Sequence, residues 1–376
     1  MELEFTPEQE ELRDGVRAML AGECPMSLVR EVVEKGARPE RLWTQMAELG
    51  WPALTVPEAA GGLGLGAVEM AVVVEELGRV VAPGPFVPTA TQFVPAVRET
   101  GTPAQQERFL GPVAAGERSG TLALAEAEGD FEPADVTATV ERDGDAVVLR
   151  GTKRFVVEAT AVDDLVVVAR EPGSVGDDGV TAVVVPRTAV TVTPLQAFDA
   201  SRGLATVLLD GARVESDRVL GTPGPATARA LRRAVEEATV ALALEIVGAC
   251  QAIFDVSLAY ARERHQFGVP IGSFQAIKHK FADMYVALER ARATGYYAAL
   301  TIAEDDERRT LATSAAKAAA GDCQRLLAKE GIQVHGGIGF TWEHDMHLYV
   351  RRVKSDAALF GSAGTHRARV ADLIGV

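Results

Sequence analysis

Cysteine is scarce in this sequence. The chain of 376 residues has three cysteines, Cys24, Cys250 and Cys323, which stand far apart and form no Cys-x-x-Cys pair. Disulfide frameworks and structural zinc sites need several suitably spaced cysteines, so the sequence argues against both. We therefore expect reduced thiols in a cytoplasmic protein without a bound metal.

Positive charge is also in short supply. The chain has 38 Lys and Arg against 53 Asp and Glu, a net charge of −15. Nucleic-acid binding needs clustered Lys and Arg, so we expect no general nucleic-acid partner. No uninterrupted apolar run reaches the ~18 residues that cross a bilayer, and the acidic first residues lack the basic start of a signal peptide. We expect neither membrane insertion nor a signal peptide.

The composition is otherwise that of a folded protein, with 47% hydrophobic and 24% charged residues. The apolar pattern is helical from Thr6 to about Arg118, has a period of two from about Thr121 to Leu220, and is helical again beyond residue 222. The sequence predicts an α+β protein with an α-helical domain over 1–118, a β domain over 119–222 and a helical bundle over 223–376.

Individual elements follow from the same patterns. Thr6 is predicted to cap a helix that begins at Pro7, and two further helices are predicted over 42–49 and 67–77. Runs of β-branched residues predict strands over 136–140, 146–149, 165–169, 181–185 and 205–209. Long Ala-rich segments predict four bundle helices, near 226–263, 273–303, 308–332 and 344–360.

The most informative residues surround a tight turn between two bundle helices. Arg264, Phe267 and Gln275 place a cation, an aromatic ring and an amide in order around this turn, and about seventy residues later Gln333 precedes Gly336 and Gly337. A pyrophosphate binds guanidinium and main-chain N–H groups, and glycines let it approach the backbone. These residues predict a nucleotide site. The alternative is that Arg264 pairs with an acid and the glycines only end a helix.

A second glycine-rich string, residues 61–66, has a different interpretation. Its spacing is not G-x-G-x-x-G, and no predicted strand precedes it. We therefore predict a flexible entry into the helix over 67–77 rather than a dinucleotide-binding loop.

Together the passages around Arg264 and Gln333 resemble the flavin-binding signatures of the acyl-CoA dehydrogenase family, and the resemblance extends over the whole chain. It implies that family's fold, with an N-terminal helical domain, a middle antiparallel β domain and a C-terminal four-helix bundle, and it implies FAD as cofactor. In the family these passages hold the ADP part of the flavin of a neighbouring subunit. The residues that inherit this role are Arg264, Phe267, Gln275, Gln333, Gly336 and Gly337.

The β domain matches the family less well. The resemblance places the flavin ring beside Leu124, Ala125, Phe155 and Val157. Ala125 and Val157 stand where the family usually has hydroxyl side chains, and Phe155 replaces a tryptophan, so main-chain groups are left to bind the ring. The loop over 128–133 also lacks the family's usual Gly-Ser-Asp. Near the C-terminus the resemblance adds Thr365 as a cofactor contact.

The family's reaction removes an α-proton from an acyl thioester as hydride leaves the β-carbon, and it needs a carboxylate base of raised pKa. The resemblance places that base either at Ala363 or, 22 residues before Tyr260, at Ala238. Glu245 lies two helical turns beyond Ala238, on nearly the same face and in apolar surroundings. We predict Glu245 as the base. The alternatives are that Glu245 forms a buried salt bridge or hydrogen bond, and that a partner chain supplies the base.

Three histidines follow the second passage. His335 is expected to shape the flavin pocket. His344 and His347 are three residues apart without a third ligand in view, so we expect them at a helix start rather than at a metal.

Two functional hypotheses stay open. The first is an acyl-CoA dehydrogenase that converts an acyl-CoA to the 2,3-enoyl-CoA and passes electrons to an electron-transferring flavoprotein. The second is a non-catalytic subunit that completes the FAD site of a related, active chain in an α2β2 complex, since residues 340–345 resemble a bulky-acyl branch of the family. Both imply a tetramer, homomeric or heteromeric. The sequence does not identify the acyl group, although small residues around Glu245 leave room for a bulky one.

Overall fold

A computed structural model describes residues 5–127 and 130–376. The chain forms two compact units, each built from separate stretches. The helical unit contains residues up to Gly36, Ala67–Ala82 and Thr239–Val376, and the mixed unit contains Ala37–Gly66 and Pro83–Ala238. The loop expected over 128–133 begins outside the described residues. The domain limits 1–118, 119–222 and 223–376 remain our proposal for the linear organisation.

The helices follow the predicted order. They are α1 (Pro7–Glu23), α2 (Met26–Lys35), α3 (Glu40–Glu48), α4 (Ala67–Arg79), α5 (Phe86–Pro88), α6 (Val94–Thr100), α7 (Pro103–Ala114), α8 (Pro225–Glu263), α9 (Gln275–Ala303), α10 (Arg309–His335), α11 (Met346–Asp356) and α12 (Ala363–Ile374), with a π-helical segment, Thr89–Phe93, between α5 and α6.

The start of α1 confirms the predicted cap. The Gln9 backbone N–H donates to Thr6 Oγ1 at 3.3 Å, and the Thr6 N–H donates to Gln9 Oε1 at 3.1 Å. This reciprocal capping box satisfies donors that the first turn leaves open. Local sequence alone is sufficient to define this helix end.

Two glycines let α4 and α8 cross at backbone contact within the helical unit. A Cβ on Gly78 would lie 2.1 Å from the Glu245 carbonyl oxygen, and one on Gly248 would lie 1.9 Å from the Glu75 carbonyl oxygen. Only glycine permits so close an approach. The crossing fixes the position of Glu245 on α8.

The mixed unit contains two sheets. The strands are β1 (Gly120–Ala123), β2 (Thr139–Asp143), β3 (Ala146–Arg150), β4 (Thr152–Val157), β5 (Asp164–Arg170), β6 (Val180–Pro186), β7 (Thr191–Pro194), β8 (Leu204–Leu208), β9 (Ala212–Glu215) and β10 (Val219–Leu220). One sheet has the order β10-β6-β5-β2-β3-β9, with β1 also paired to β5, and the other has the order β4-β8-β7. A short hairpin, β11 (His265–Gln266) and β12 (Val269–Pro270), lies between α8 and α9.

The β domain departs from the predicted antiparallel arrangement at β5, which has two parallel neighbours. β1 pairs with β5 in parallel from Gly120↔Asp164 to Ala123↔Val167, and β2 meets β5 in parallel at Thr139↔Arg170. A long stretch of chain separates β1 from β5, so no tight hairpin dictates their direction. The remaining pairings are antiparallel, and a cluster of buried aliphatic side chains joins both sheets.

The last part of the chain also differs from the prediction. The helix predicted near 344–360 is present as the shorter α11. A further helix that was not predicted, α12, follows Phe360 and Gly361, whose φ angles are 54° and 97°. Positive φ cannot continue a right-handed helix, and Ser362 then caps α12 by accepting from the Thr365 N–H at 3.1 Å.

By length and composition, α8 could cross a membrane, since its most apolar window has a mean hydropathy of 1.7. However, 78% of that window is buried inside the protein. Core helices of large proteins have this character, so the helix is weak evidence for a membrane.

Candidate functional site

The hairpin between α8 and α9 presents its polar and aromatic residues outwards. Arg264, Phe267 and Gln275 are all exposed. The Ile271 N–H donates to the Arg264 carbonyl oxygen at 2.8 Å and closes the hairpin. In the described part of the chain Arg264 makes no salt bridge, so the acid partner considered as an alternative is not found. Its guanidinium is available to an anion.

Phe267 is the most unusual residue of this hairpin. Its side chain is 92% exposed and its φ is 55°, beside Gly268 at 81°. A bulky residue in the left-handed region is strained, and such strain concentrates at functional sites. Among the aromatic rings that the structure describes, Phe274 meets the Phe267 ring edge-on, with centroids 6.1 Å apart. Packing within this chain therefore does not explain Phe267, whereas a bound ligand or a second chain would.

A ring stack joins the two predicted passages. Tyr260, at the end of α8, stacks on His335 at the end of α10 with centroids 4.6 Å apart, and His344 meets His335 edge-on at 4.7 Å. His335 Nδ1 bonds the Gly331 carbonyl oxygen at 2.8 Å, and burial lowers the pKa of the imidazole. The structure thus brings the Arg264 and Gln333 passages to one end of the helical unit.

The glycines of the second passage face open space. Gly336 ends α10 with φ 65° and ψ −142°, a conformation that favours glycine. A Cβ on Gly336 or Gly337 would meet nothing within 4 Å. Gly336 ends a helix, which agrees with the alternative that these glycines only terminate α10. Close packing, however, does not require glycine at either position. Exposed Gln333 lies just before them.

A cavity of about 430 Å³ opens at the α8–α9 corner. Its walls are Leu258, Ala261 and Phe281, and Arg262 and Lys278 lie among the lining residues. Apolar walls with cations beside them suit a ligand that combines a flat ring with phosphate. The donor set of this corner, a guanidinium, side-chain amides and glycine backbone, fits the nucleotide part of the predicted cofactor.

The residues predicted around the flavin ring lie together in the mixed unit. The Arg154 N–H donates to the Ala125 carbonyl oxygen at 2.8 Å, which joins the segment after β1 to β4. Leu124, Ala125 and Val157 are buried, and Phe155 is half-buried. Since Ala125 and Val157 have no hydroxyl group, the main chain remains the predicted source of hydrogen bonds to the ring at these two positions.

Phe155, like Phe267, has a backbone conformation in the left-handed region, with φ 57°, although it lies within a strand. The pairing of β4 with β8 shifts register between Lys153 and Val156, so Phe155 lies in a bulge. The Arg154 guanidinium lies 5.3 Å from the Phe155 ring centroid. Bulges re-aim side chains and recur beside active sites.

Glu245 is not the unpaired carboxylate that the sequence suggested. Arg352 Nη1 donates to Glu245 Oε1 at 2.8 Å, with side-chain exposures of 1% and 0%. Arg352 Nη1 also donates to the Ala82 carbonyl oxygen at 3.2 Å. A buried carboxylate that accepts from a guanidinium at this distance is engaged in an ion pair, whereas an α-proton base must be able to accept a proton from the substrate. The structure corresponds to the buried salt bridge that was the alternative.

Part of the space expected around Glu245 is filled. The crossing at Gly78 and Gly248 brings the α4 backbone against α8, so these small residues serve helix packing. At Gly248 the space is therefore occupied by the α4 backbone, and the acyl group expected from the sequence stays a prediction for the other small residues.

The segment over residues 360–366, where the resemblance places the base, has no carboxylate side chain. Ala363 begins α12, and Thr365 contributes to the cap of that helix, with its Oγ1 3.0 Å from Ser362 Oγ. His366 is buried, its Nε2 bonds the Phe360 carbonyl oxygen at 2.8 Å, and burial lowers its pKa to about 4. Thr365 is exposed, so the structure leaves it accessible to a cofactor without showing a contact.

The histidines of the 340–347 region contribute to packing. His347 stacks on Trp342 with centroids 4.5 Å apart, and the His344 imidazole accepts from the Met346 N–H at 3.0 Å. Arg30 of α2 donates to Asp345 Oδ1 at 2.7 Å and to the Trp342 carbonyl oxygen at 2.9 Å. Within 5–127 and 130–376, no group of three His, Cys, Asp or Glu residues is placed to hold a metal.

Some site residues were not recognised in the sequence. The buried Lys153 pairs with the half-buried Glu126 beside Ala125, and Arg352 and Tyr260 contact predicted site residues directly. Lys153 had no clear signal, because its strand also contains Thr152 and Arg154. Arg352 had none, because an arginine in an amphipathic helix is ordinary.

Three family models match the chain. They are the N-terminal domain of acyl-CoA dehydrogenases over residues 6–117, the middle domain over 121–210 and the C-terminal domain over 228–375.

Similar proteins agree with these models. The chain is 32% identical to the acyl-CoA dehydrogenase IpdE2 of Mycobacterium tuberculosis over 364 residues, which cover 95% of each chain. Among solved structures, it is 31% identical to a variant of the Tcur3481-Tcur3483 steroid ACAD, with a TM-score of 0.86, covering 98% of this chain and 97% of that one. It is 25% identical to a chain of the ChsE4-ChsE5 complex of Mycobacterium tuberculosis, with a TM-score of 0.89 and complete coverage of both.

Proposed function

This chain belongs to the acyl-CoA dehydrogenase family, and from that premise we propose that it acts in FAD-dependent α,β-dehydrogenation of an acyl-CoA as one subunit of a heteromeric complex. The family consists of FAD-dependent oxidoreductases, so the predicted family and reaction class are confirmed. The role of this chain within such a complex is our proposal.

One observation supports that role above the others. Ala363 and Ala238 occupy the positions where a base would be expected, and Glu245 is ion-paired with Arg352. An α-proton base must be a carboxylate that can accept a proton beside the substrate. Since none of these three positions offers one, we assign the base to a partner chain.

We assign binding of the nucleotide part of the cofactor to the helical unit of this chain. The Arg264 guanidinium would bind the pyrophosphate, and the side-chain amides of Gln275 and Gln333 would add hydrogen bonds. Gly336 and Gly337 would let the adenine or a phosphate approach the main chain. Because Arg264 and Phe267 are exposed in the single chain, a second subunit is needed to enclose what they bind.

In the mixed unit, the main chain near Leu124 and Ala125 and the bulge at Phe155 would receive the ring. When bound, FAD accepts the hydride that leaves the β-carbon of the acyl group. The protein's contribution here is to orient the ring with buried backbone and to exclude water with Leu124 and Val157, which are 2% and 4% exposed.

We further propose a bulky acyl group, such as a steroid side chain, as the substrate. The Tcur3481-Tcur3483 relative is a steroid ACAD, and both it and the ChsE4-ChsE5 relative are named as pairs of chains. An α2β2 assembly in the cytoplasm, reoxidised by an electron-transferring flavoprotein, completes the proposal.

A second candidate is a self-sufficient dehydrogenase with Glu245 as its base. Its supporting observation is the fully buried carboxylate on α8, two turns beyond Ala238. This candidate requires Arg352 to release Glu245 when the substrate binds.

Cofactor content tests the proposal. The chain is expressed alone and together with a related chain that carries glutamate at the position of Ala363, and FAD is quantified after denaturation. We expect FAD in the co-purified complex only, and its loss in a complex with Arg264→Ala. A matched control, Arg142→Ala, changes an exposed arginine on β2 and should leave FAD content unchanged. Full FAD content in the chain alone would contradict the heteromeric proposal.

A further inference from the structure

A fully buried ammonium lies beside the segments that we assign to the flavin ring. Lys153 of β4 is 0% exposed, and its Nζ donates to the Leu124 carbonyl oxygen at 3.1 Å and to Glu126 Oε1 at 2.6 Å. One side chain thus ties β4 to the segment that follows β1. A charged group is buried in this way only where its partners compensate the lost hydration.

Glu126 is the main partner, and its carboxylate accepts several further bonds. The Thr137 and Ala138 N–H groups donate to it at 2.9 Å each, and the Thr137 hydroxyl also donates to it. Burial opposes its ionisation, but Lys153 and the other donors together lower the pKa of Glu126. Burial lowers the pKa of Lys153 to about 8. The ionised form of the carboxylate is therefore favoured, and its hydrogen bonds to Lys153, Thr137 and Ala138 hold it in place.

The pair adjoins a strained stretch of backbone. Residue 153 is the last residue of β4 in register with β8 before the bulge, and Phe155 follows at φ 57°. Just beyond the Lys153 contact, the Arg154 N–H donates to the Ala125 carbonyl oxygen. A left-handed aromatic residue inside a strand persists only where its surroundings fix it. Lys153 fixes the start of this bulge, and the pairing of Val156 with Ala205 fixes its end.

We propose that Lys153 is a positioning residue of the cofactor site. Through the Leu124 carbonyl oxygen and Glu126, it holds the Leu124–Ala125 backbone and the Phe155 bulge in the arrangement that receives the flavin ring. This inference rests on the proposed function. If Lys153 only stabilised the fold, its replacement would weaken FAD binding no more than the loss of stability explains. A positioning role requires a larger loss of FAD affinity than that.

The test compares Lys153→Met with Arg118→Met. Arg118 donates to buried Asp164 at 2.8 and 2.6 Å in the same unit, so its loss also breaks a charge pair, but away from the proposed ring contacts. FAD affinity is measured by titration of the full-length complex, unfolding temperature by calorimetry, and backbone opening by amide hydrogen exchange.

We expect Lys153→Met to weaken FAD binding about tenfold or more, since it removes two hydrogen bonds from a charged donor. Exchange should become faster in residues 124–126 and 154–157. Arg118→Met should lower the unfolding temperature similarly but leave FAD affinity within about twofold. Unchanged FAD affinity in Lys153→Met, or equal weakening in both variants, would overturn the proposal.

A conservative variant keeps the test decisive if Lys153→Met does not fold. Glu126→Gln retains an acceptor oxygen but removes the charge, and we expect FAD binding about three- to tenfold weaker. Wild-type FAD affinity in Glu126→Gln would overturn the proposal. A wild-type complex without FAD would instead overturn the proposed function, and hydrogen exchange would then decide alone: selective opening of these segments in Lys153→Met supports the positioning role, and unchanged exchange refutes it.

Discussion

Glu245 and Arg352 form a fully buried ion pair, in which Glu245 Oε1 and Arg352 Nη1 are 2.8 Å apart. The side chains are 0% and 1% exposed, respectively. Arg352 also reaches the Ala82 carbonyl oxygen. The pair therefore links α8, α11 and the turn after α4 within the helical unit. A carboxylate held in this way stabilises the packing of these elements. We therefore do not assign Glu245 as the catalytic base.

The first prediction concerns the contribution of this ion pair to the free energy of unfolding. Arg352→Met leaves a buried carboxylate without its cation, and we expect a loss of about 3–5 kcal/mol in the free energy of unfolding. Denaturant titration measures it. The control is Arg213→Met, whose ion pair with Asp143 has exposures of 54% and 62%, and which should cost at most about 1 kcal/mol. Equal losses in the two variants would show that the Arg352 pair contributes no more than a surface contact.

A second prediction concerns the α4–α8 crossing. Gly248→Ala places a methyl group 1.9 Å from the Glu75 carbonyl oxygen, so the helices must separate, at a cost of about 3 kcal/mol or more in the free energy of unfolding. Gly22→Ala is the matched control on α1, where nothing lies within 4 Å of the new carbon. Alanine there should stabilise the protein by roughly 0.5–1 kcal/mol. A stable Gly248→Ala protein would refute the close crossing.

The third prediction separates ligand binding from stability at Phe267. Because its ring is 92% exposed and its φ is 55°, Phe267→Gly should leave the isolated chain as stable as before or slightly more stable. The same change should lower FAD content in the assembled complex. Val175→Ala, at a side chain 74% exposed in the mixed unit, is the control and should alter neither quantity. Normal FAD content in Phe267→Gly would remove this residue from the site.

Acid sensitivity at His366 gives the fourth prediction. Burial lowers the pKa of His366 to about 4, below the ordinary value of about 6.5, so the unfolded chain binds the proton first as the pH falls. The stability contributed by the neutral imidazole is complete above pH ~6.5 and declines towards pH ~4, with a loss of about 2 kcal/mol by pH ~5. Denaturant titrations across this range should show the decline in wild type and a shallower one in His366→Gln. Exposed His265→Gln should behave as wild type does, and an unchanged slope in His366→Gln would contradict the assignment.

Local features of the fold were predictable from the sequence. The Thr6 cap follows from residues within one turn, and the long helix of Pro225–Glu263 follows from its Ala-rich apolar pattern. The order of helices, strands and helices was also correct. Each of these depends on near neighbours in sequence, for which propensity and periodicity are informative.

Features set by distant contacts were not predictable. The residues of the Glu245–Arg352 pair lie 107 positions apart, so no local pattern distinguishes it from an unpaired carboxylate in an apolar helix. The parallel β1–β5 pairing and the Phe155 bulge likewise depend on which strands meet. The corner at Arg264 was predicted as a site because its polar and aromatic residues, which are exposed in the structure, do not serve the core.

Anaerobic reduction of the co-purified complex by an acyl-CoA tests the central claim most directly. The visible flavin band is followed in complexes that carry Glu245→Gln in this chain or a glutamine in place of the partner's glutamate at the position equivalent to Ala363. If the partner supplies the base, Glu245→Gln leaves the bleaching rate near that of wild type, while the partner's substitution abolishes bleaching with FAD still bound. Loss of bleaching in Glu245→Gln, with FAD content and fold intact, would contradict the account and restore Glu245 as the base.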